Sequence, residues 1–296
     1  MKKFKNLLIS IVFNFLYYFI NFIPEFIAEK IGIVTGKLLY LFKVRKNVAR
    51  SNLLLAFGDD HSLEEIEAIL KDTYINFGQV LIEFFLIEKL NRKEFQKNIK
   101  IENPEKLKEL INSDQGVIFY TAHFGNWEWL AAVIANYDNK CLSVAKKQRL
   151  ADLGDRINLV RRNAGVKTTT VSNQGLIKVY KNLKAGNSTV ILGDQHASGL
   201  PHVMDFFGVP ASIHRGAVRL ASKTGSLIVP IFIYREGFAK YRVRVHEEVE
   251  VPQGTKKAEE PEYLEPLLRV TEEALRKSPE QWLWFHKRWK VDRGEG

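Results

Sequence analysis

Cysteine is nearly absent from this chain, because Cys141 is the only one among its 296 residues. A single cysteine excludes an intrachain disulfide and is typical of a protein kept in a reducing compartment. Zinc sites that need a pair of cysteines are excluded with it, and the sequence contains no H-E-x-x-H motif. Internal repeats and low-complexity linkers are also absent. A chain of 296 residues can form one large domain or two smaller ones.

Acidic residues are outnumbered, with 34 Asp and Glu against 44 Lys and Arg, for a net charge of +10 and a pI near 9.4. This excess indicates an anionic partner, such as a nucleic acid, an acidic lipid or an acidic carrier protein. No helix-turn-helix, zinc finger or aromatic RNA-binding motif is present, so we expect no nucleic acid partner. Residues 1–50 are strongly basic, and a second basic cluster consists of Lys146, Lys147, Arg149, Arg156, Arg161, Arg162 and Lys167.

The most apolar stretch of the sequence is residues 7–23, in which Ser10, Asn14 and Asn21 are the obvious polar members. Its length just reaches the lower limit of about 17 residues for a spanning helix. The basic start resembles a signal peptide, but no small-residue cleavage site follows, and the many aromatic residues favour a membrane boundary. We interpret residues 1–28 as an uncleaved membrane anchor that spans the bilayer or lies in its interface. The alternative is a buried hydrophobic helix of a soluble domain.

Two kinds of pattern follow the anchor. Residues 29–100 are mainly helical, and the capping box of Ser62 and Glu65 predicts a long helix from residue 63 into the 80s. Glu83 falls within the apolar run of that helix, and we interpret it as an exposed helical position. From residue 101 onward strands and helices alternate, which predicts an α/β fold with a mixed, mostly parallel sheet flanked by helices. The last two strands, joined through "EGFA", read as an antiparallel hairpin.

The segment "AHFGNWEWL" places His123 and Glu128 on either side of the turn between a buried strand and a helix that Asn126 would cap. Ligands of open α/β sheets bind at such strand ends. His123 is suited to act as a general base, with Glu128 holding one ring nitrogen, and the absence of a neighbouring Ser or Cys suggests that the base activates a substrate hydroxyl. The alternative is a structural histidine bonded to a local carbonyl, with Glu128 at the positive end of the helix dipole.

A metal site is the competing use of the histidines. His123, His196, His202 and His214 could ligate a metal together with Asp194 or Asp205. These residues lie in separate loops without a recognised ligand spacing, so we predict neither a metal nor another cofactor.

Several motifs in the order of one family carry a specific resemblance. "HFGNWE" resembles the H-x4-D/E box of glycerolipid acyltransferases, in the form used by the bacterial lipid A late acyltransferases (the lauroyl and myristoyl enzymes). Glu83 falls where that family often has a Glu. The other elements similar to the family are "VRKNVARSNLLLAFG", "RRNAG", "LKAGNSTVILGDQHASG", "DFFG" and "PEQWLWFHKRWK". The resemblance implies that residues 29–296 form an acyltransferase domain, with a helical, membrane-proximal part at 29–100 and an α/β catalytic core at 101–296.

The resemblance also implies an activity, which is the transfer of a fatty acyl chain from an acyl carrier protein or coenzyme A thioester to a hydroxyl of a lipid A precursor. The reaction would take place on the cytoplasmic side of the inner membrane. His123 would remove the hydroxyl proton, Glu128 would orient His123, and the amides of Gly125 and Asn126 would stabilise the oxyanion. The residues expected to bind substrate, besides these two amides, are Arg149, Arg161, Arg162, Asp194 and Asp205.

Some choices stay open on the sequence alone. The segment "AKKQRLAD" stands where the family often has Arg-Pro, so a phosphatidylinositol mannoside or a lysophospholipid remains an alternative acceptor. The basic residues Lys146, Lys147 and Arg149 could steer an acidic carrier protein, and a phosphorylated glycolipid would use the same charges. An anionic membrane surface is a further expected partner. A non-catalytic, basic membrane-surface protein is the alternative from a different functional class.

Overall fold

Strands occur throughout the second part of the chain in the computed structural model, which describes residues 2–58, 60–146, 151–197 and 201–289. In chain order they are β1 (Ile99–Glu102), β2 (Val117–Thr121), β3 (Leu142–Ala145), β4 (Lys167–Thr170), β5 (Ser188–Leu192), β6 (His202–Phe206), β7 (Val209–Ile213), β8 (Leu227–Gly237) and β9 (Lys240–Val245).

The helices surround these strands and dominate the first part of the chain. They are α1 (Lys2–Phe22), α2 (Glu25–Leu41), α3 (Lys46–Phe57), α4 (Leu63–Phe84), α5 (Lys93–Gln96), α6 (Pro104–Asn112), α7 (Trp127–Tyr137), α8 (Ala151–Asn163), α9 (Asn173–Lys184), α10 (Gly216–Thr224) and α11 (Glu260–Lys277). Short 3-10 helices cover Ile87–Asn91 and Pro279–Gln281. No helix within the described residues is long and apolar enough to cross a bilayer.

Seven strands form one mixed sheet in the order β1-β9-β8-β2-β5-β3-β4. Neighbouring strands in it are parallel, except for the antiparallel hairpin of β8 and β9. The predicted α/β class, the mostly parallel sheet and the terminal hairpin are therefore confirmed. β6 and β7 form a separate antiparallel hairpin, so that His202 and Asp205, which we expected in loops, lie in a strand.

Strand β2 lies at the centre of the sheet and is buried along its whole length. Its side chains alternate between two cores. Ile118 and Tyr120 pack with residues of α3, α4, α9, α10 and α11, whereas Val117 and Phe119 pack with α7 and α8 on the opposite face. Burial on both faces explains why this strand reads as a continuous apolar run. It also fixes the position of the chain that follows it, which is the segment containing His123.

Helix α2 packs closely against α4 through glycines. A Cβ atom added at Gly78 would lie 2.3 Å from the carbonyl oxygen of Gly32 and 2.4 Å from the amide nitrogen of Gly36. Such a distance is far below van der Waals contact, so only glycine at position 78 allows the two backbones to approach this closely. The contact joins the N-terminal part of the chain to α4, the helix that carries Glu83.

Candidate active site

His123 pairs with Asp194 at the carboxyl end of the sheet. Strands β2 and β5 are parallel neighbours in which Thr121 is opposite Leu192, so the residues two positions beyond each strand lie side by side. The distance from His123 Nδ1 to Asp194 Oδ1 is 2.8 Å, and the His123 backbone amide donates to Asp194 Oδ2 at 2.9 Å. Two contacts from one carboxylate fix both the ring and the main chain of His123.

The electrostatics of this pair favour a charged carboxylate. The Asp194 side chain is buried, and the indole Nε1 of Trp282 donates to its Oδ2 at 2.7 Å. Burial alone raises the pKa of Asp194, but the charge of His123 and the hydrogen bonds from His123 and Trp282 outweigh this effect and lower the pKa to about 2. Asp194 is therefore ionised at neutral pH and can stabilise a proton on the imidazole.

The second ring nitrogen of His123, Nε2, is not bonded to Asp194. In the tautomer whose Nδ1–H donates to Asp194, Nε2 carries the lone pair. Nε2 lies 3.3 Å from the side-chain amide nitrogen of Gln195, and the His123 side chain keeps 22% of its surface exposed. The edge of the neighbouring Trp127 ring packs against the imidazole, with ring centroids 5.2 Å apart. His123 is thus held in place on one side and accessible on the other.

Glu128 does not orient His123, and this corrects the expectation from the sequence. The carboxylate oxygens of Glu128 accept two hydrogen bonds from Arg161, at 2.8 Å from Nε and 2.5 Å from Nη2. Burial acts to lower the pKa of Arg161, but the hydrogen bonds and charge of Glu128 more than offset it, so that the pKa is raised. Glu128, in the first turn of α7, therefore contacts Arg161 of α8, and Asp194, which follows the adjacent strand β5, contacts His123.

The turn between β2 and α7 depends on Gly125 and Asn126. Gly125 has φ of +57°, and a Cβ atom there would lie 1.8 Å from the carbonyl oxygen of Ile233. Its amide donates to the carbonyl of Gln281 at 2.9 Å, so the expected role of this amide as an oxyanion donor is wrong for this conformation. Asn126 is the N-cap of α7, as predicted, and its Oδ1 accepts from the amide of Trp129 at 3.1 Å.

Glu83 is the centre of a buried hydrogen-bond network and not the exposed helical position we expected. Its side chain has no exposed surface and accepts bonds from Arg235 Nη1 at 2.5 Å and Nη2 at 2.9 Å. It also accepts from the amide of Ala239 at 2.7 Å, from the hydroxyl of Tyr241, and from Asn126 Nδ2 at 2.9 Å. An amphipathic pattern cannot reveal such a partner set, because the cations and hydroxyls that satisfy Glu83 lie more than 40 residues away along the chain.

The C-terminal segment after α11 packs over the pair of His123 and Asp194. Besides the Trp282 bond to Asp194, the amide of Leu283 donates to the carbonyl oxygen of His123 at 3.0 Å. Further along, Arg288 is only 1% exposed, and its Nη1 donates to the carbonyl of Ser212 at 2.7 Å. Burial lowers the pKa of Arg288, while Tyr120 and Asp194 act to raise it. The segment therefore places a cation within electrostatic range of Asp194.

None of the other predicted substrate residues that the structure describes has a hydrogen bond to His123. Arg162 is exposed on α8, Asp205 is exposed on β6, and Arg149 lies outside the described residues. Among the described residues, no group of three or more His, Cys, Asp or Glu side chains is arranged to hold a metal ion. His202, one of the histidines considered as ligands, bonds through Nε2 to Glu260 Oε2 at 2.9 Å.

The arrangement of these residues can perform general-base chemistry. The His123 side chain is partly exposed, and the buried carboxylate bonded to Nδ1 can stabilise the imidazolium that proton removal creates. From the sequence we expected His123 to be the base and Asp194 to bind substrate. The signal that could have joined them was their equal offset, two residues past two apolar strands.

Comparison with known proteins shows which family the sequence of this chain matches. The profile of the family described as "Bacterial lipid A biosynthesis acyltransferase" matches residues 2–291. The chain is 23% identical over 271 residues to the lipid A biosynthesis palmitoleoyltransferase of Escherichia coli (strain K12), covering 90% of this chain and 84% of the relative. The same identity and coverage hold for the lipid A biosynthesis acyltransferase of Shigella flexneri.

Proposed function

Since this chain belongs to the bacterial lipid A biosynthesis acyltransferase family, we propose that it transfers a fatty acyl chain from an acyl thioester to a hydroxyl of a lipid A precursor, with His123 as the general base. The pairing of His123 with the buried Asp194 is the observation that carries this mechanism. The proposed setting is the cytoplasmic side of the inner membrane.

The reaction begins when Nε2 of His123 removes the proton from the acceptor hydroxyl. The resulting oxygen attacks the thioester carbonyl carbon and forms a tetrahedral intermediate. When that intermediate collapses, the carbon–sulfur bond breaks, the ester remains on the glycolipid, and the imidazolium returns its proton to the leaving thiolate. No acyl–enzyme intermediate is needed, because the base activates the acceptor itself.

Asp194 supports both proton transfers. It holds Nδ1–H of His123, which keeps the lone pair on Nε2, and its negative charge stabilises the imidazolium between the two steps. The side-chain amide of Gln195, 3.3 Å from Nε2, is a candidate donor to the oxyanion of the intermediate.

Glu128 and Arg161 have a different role in this proposal, which is to shape the substrate side of the site. Their two parallel hydrogen bonds fix the guanidinium at the start of α7. A fixed guanidinium matches a phosphate group on the acceptor or on the carrier's prosthetic arm, and the Glu128 carboxylate would release it as the phosphate enters.

The donor and the acyl chain are the finer parts of the proposal. An acyl carrier protein is strongly acidic, and the net charge of +10 favours its approach over that of a neutral donor. The resemblance to lauroyl and myristoyl enzymes and the name of the palmitoleoyl-transferring relative both suggest a chain of medium to long length.

One experiment tests the activity directly. The purified full-length protein is incubated with acyl carrier protein or coenzyme A thioesters and a phosphorylated glucosamine-disaccharide acceptor, and mass spectrometry records the mass gained by each lipid. We expect one added acyl chain on the disaccharide with wild type and none with His123→Ala. Phosphatidylinositol mannoside and lysophospholipid serve as competing acceptors. Acylation of either of these alone, or equal product with His123→Ala, would contradict the proposal.

A further inference from the structure

Helix α1 has an exposed face made almost entirely of large apolar side chains. These side chains are between 40% and 90% exposed and belong to Ile11, Val12, Phe15, Tyr18, Phe19 and Phe22. Residues 11, 15, 18 and 22 follow the three- and four-residue spacing that places side chains on one side of a helix. A surface helix of a soluble protein normally turns polar residues outward, so a contiguous apolar face marks a surface that interacts with something other than water.

The opposite face of α1 is fixed to the catalytic domain. Ile20 is fully buried, the Phe13 ring packs edge-on against Phe85 at 5.2 Å, and Asn21 Nδ2 donates to the carbonyl of Phe85 at 2.8 Å. Asn14 accepts a hydrogen bond from Arg156 of α8. These contacts combine apolar packing with polar bonds to residues of the folded domain, so they hold α1 alongside it.

The length of the packed part determines how α1 can meet a membrane. From Ser10, which is buried, to Asn21 the contacts with the domain extend over about 18 Å of helix. Residues 2–9 precede them and amount to roughly 12 Å, whereas the hydrocarbon core of a bilayer is about 30 Å thick. A spanning orientation would therefore carry Arg156 and the polar main chain near Phe85 to membrane depth.

The positive charge of the N-terminal part of the chain indicates which kind of surface α1 would contact. Residues 1–50 contain nine Lys or Arg and two Glu. Exposed apolar and cationic side chains alternate in the turn between α2 and α3, where Phe42 and Val44 are exposed beside Lys43 and Arg45. Aromatic and aliphatic side chains that enter the acyl region, together with cations that meet anionic headgroups, are characteristic of interfacial binding.

We propose that α1 lies in the plane of an anionic bilayer, with Phe15, Tyr18 and Phe22 inserted at the level of the upper acyl chains. The packed face then holds the catalytic domain against the same membrane surface. The proposal does not depend on which lipid accepts the acyl chain, because it is carried by the exposure and the contacts of α1.

An in-plane α1 also places the membrane close to the catalytic residues. Helix α8 contacts α1 through Arg156 and contacts Glu128 through Arg161, five residues later, which corresponds to about 7.5 Å along its axis. If the proposed acyl transfer is correct, a membrane lipid reaches His123 sideways, without leaving the headgroup layer.

Site-directed labelling separates the two orientations of α1. The single native cysteine, Cys141, is buried, so the wild-type chain provides the unlabelled background. Lys5→Cys and Glu25→Cys place thiols near the two ends of α1, and the full-length variants are added to preformed vesicles of phosphatidylglycerol and phosphatidylethanolamine. A membrane-impermeant maleimide should label both positions equally before and after detergent. Labelling of Lys5→Cys only after detergent would show a spanning helix and overturn the proposal.

Vesicle flotation tests the face itself. Phe15→Glu combined with Phe22→Glu should lower binding to these vesicles at least about tenfold, because two large apolar side chains lose their burial in lipid. The matched control is Leu176→Glu with Ile177→Glu, two exposed apolar positions on α9, and it should bind like wild type. Equal binding by both double variants would contradict the assignment. Acyl transfer to a detergent-dispersed acceptor by the α1 variant would distinguish a failed membrane contact from a failed enzyme.

Discussion

The side chain of Asp194 is only 2% exposed, yet its carboxylate is ionised at neutral pH. Its pKa of about 2 lies below the ordinary value for Asp, which is about 3.9. A carboxyl group with a depressed folded-state pKa stabilises the folded protein above the unfolded-state value, and this stabilisation disappears as the pH falls through the folded-state value. The hydrogen bonds from His123 and Trp282 thus contribute to the stability of the fold.

Replacing Asp194 by Asn should reveal that contribution. We expect Asp194→Asn to lower the free energy of unfolding at pH 7 by about 2–3 kcal/mol, because the stabilisation that depresses the pKa of this carboxyl is lost. The difference from wild type should shrink as the pH falls from about 4 towards 2. Urea denaturation of both proteins across this range provides the measurement, and a difference that does not change with pH would be inconsistent with the assigned pKa.

Glu83 should matter more for stability than any surface carboxylate of the same helix. Glu83→Gln removes the charge that compensates the buried Arg235, and breaking a buried ion pair on one side typically costs about 3–5 kcal/mol. The control is Glu67→Gln, which removes the half-exposed pair with Lys46 and should cost about 1 kcal/mol or less. Chemical denaturation of the two variants gives the comparison; similar losses would mean that Glu83 and Arg235 are not acting as a buried pair.

Some residues of the candidate site could be predicted from the sequence, and their long-range contacts could not. His123 and the cap Asn126 follow from local patterns, since a strand end and a helix start are legible within a few residues. Asp194 as the partner of His123 does not, because 71 residues separate them and only the order of strands in the sheet makes them neighbours. Glu128 illustrates the same limit, since its nearness to His123 in the chain predicted a contact that Arg161 makes instead.

At the scale of elements, glycines determine how closely α2 and α4 can pack. Gly78→Ala should destabilise the protein by about 1–3 kcal/mol, because a methyl group placed 2.3 Å from the Gly32 carbonyl forces the helices apart. Gly216→Ala is the matched control, since a Cβ there meets nothing within 4 Å, and it should be neutral or slightly stabilising. Thermal unfolding of both variants decides the point, and equal melting temperatures would argue against this close approach.

The positions of most helices and strands along the chain were predictable, whereas the order of the strands in the sheet was not. Apolar runs and caps predicted β2, α4 and α7, and the alternation of strands and helices predicted a parallel sheet. The hairpin of β6 and β7 was missed because neither strand is a continuous apolar run: β6 alternates half-buried and exposed positions up to Met204 and Asp205, and β7 contains Pro210 and Ser212. The strand order, which brings β5 beside β2, depends on long-range packing that local patterns do not encode.

For the whole molecule, we expect that chelators leave the activity unchanged. Two of the groups considered as metal ligands are bonded to other side chains: Asp194 accepts from His123 and Trp282, and His202 bonds to Glu260. Proton removal by His123 requires no Lewis acid. Turnover is measured in EDTA before and after addition of zinc or manganese, and a loss that metal restores would revive the metal site considered from the sequence.

The molecule as a whole combines an apolar membrane face, a basic surface and a base with its buried carboxylate. In the proposed function the exposed face of α1 and the positive charge would bring an anionic lipid and an acidic donor to the protein, but neither feature can activate a hydroxyl. The central claim is therefore the chemical pairing of His123 with Asp194 in acyl transfer.

The most direct test of that claim is the kcat for acyl transfer to the lipid A-type acceptor, measured as a function of pH for wild type, Asp194→Asn and Glu128→Gln. We predict that Asp194→Asn lowers kcat by about 10²–10⁴-fold and alters the pH dependence, because the imidazole of His123 loses the carboxylate that is bonded to its Nδ1. Glu128→Gln should act mainly on KM and keep the wild-type pH profile. A near-wild-type kcat in Asp194→Asn, with the pH profile altered by Glu128→Gln instead, would contradict the account.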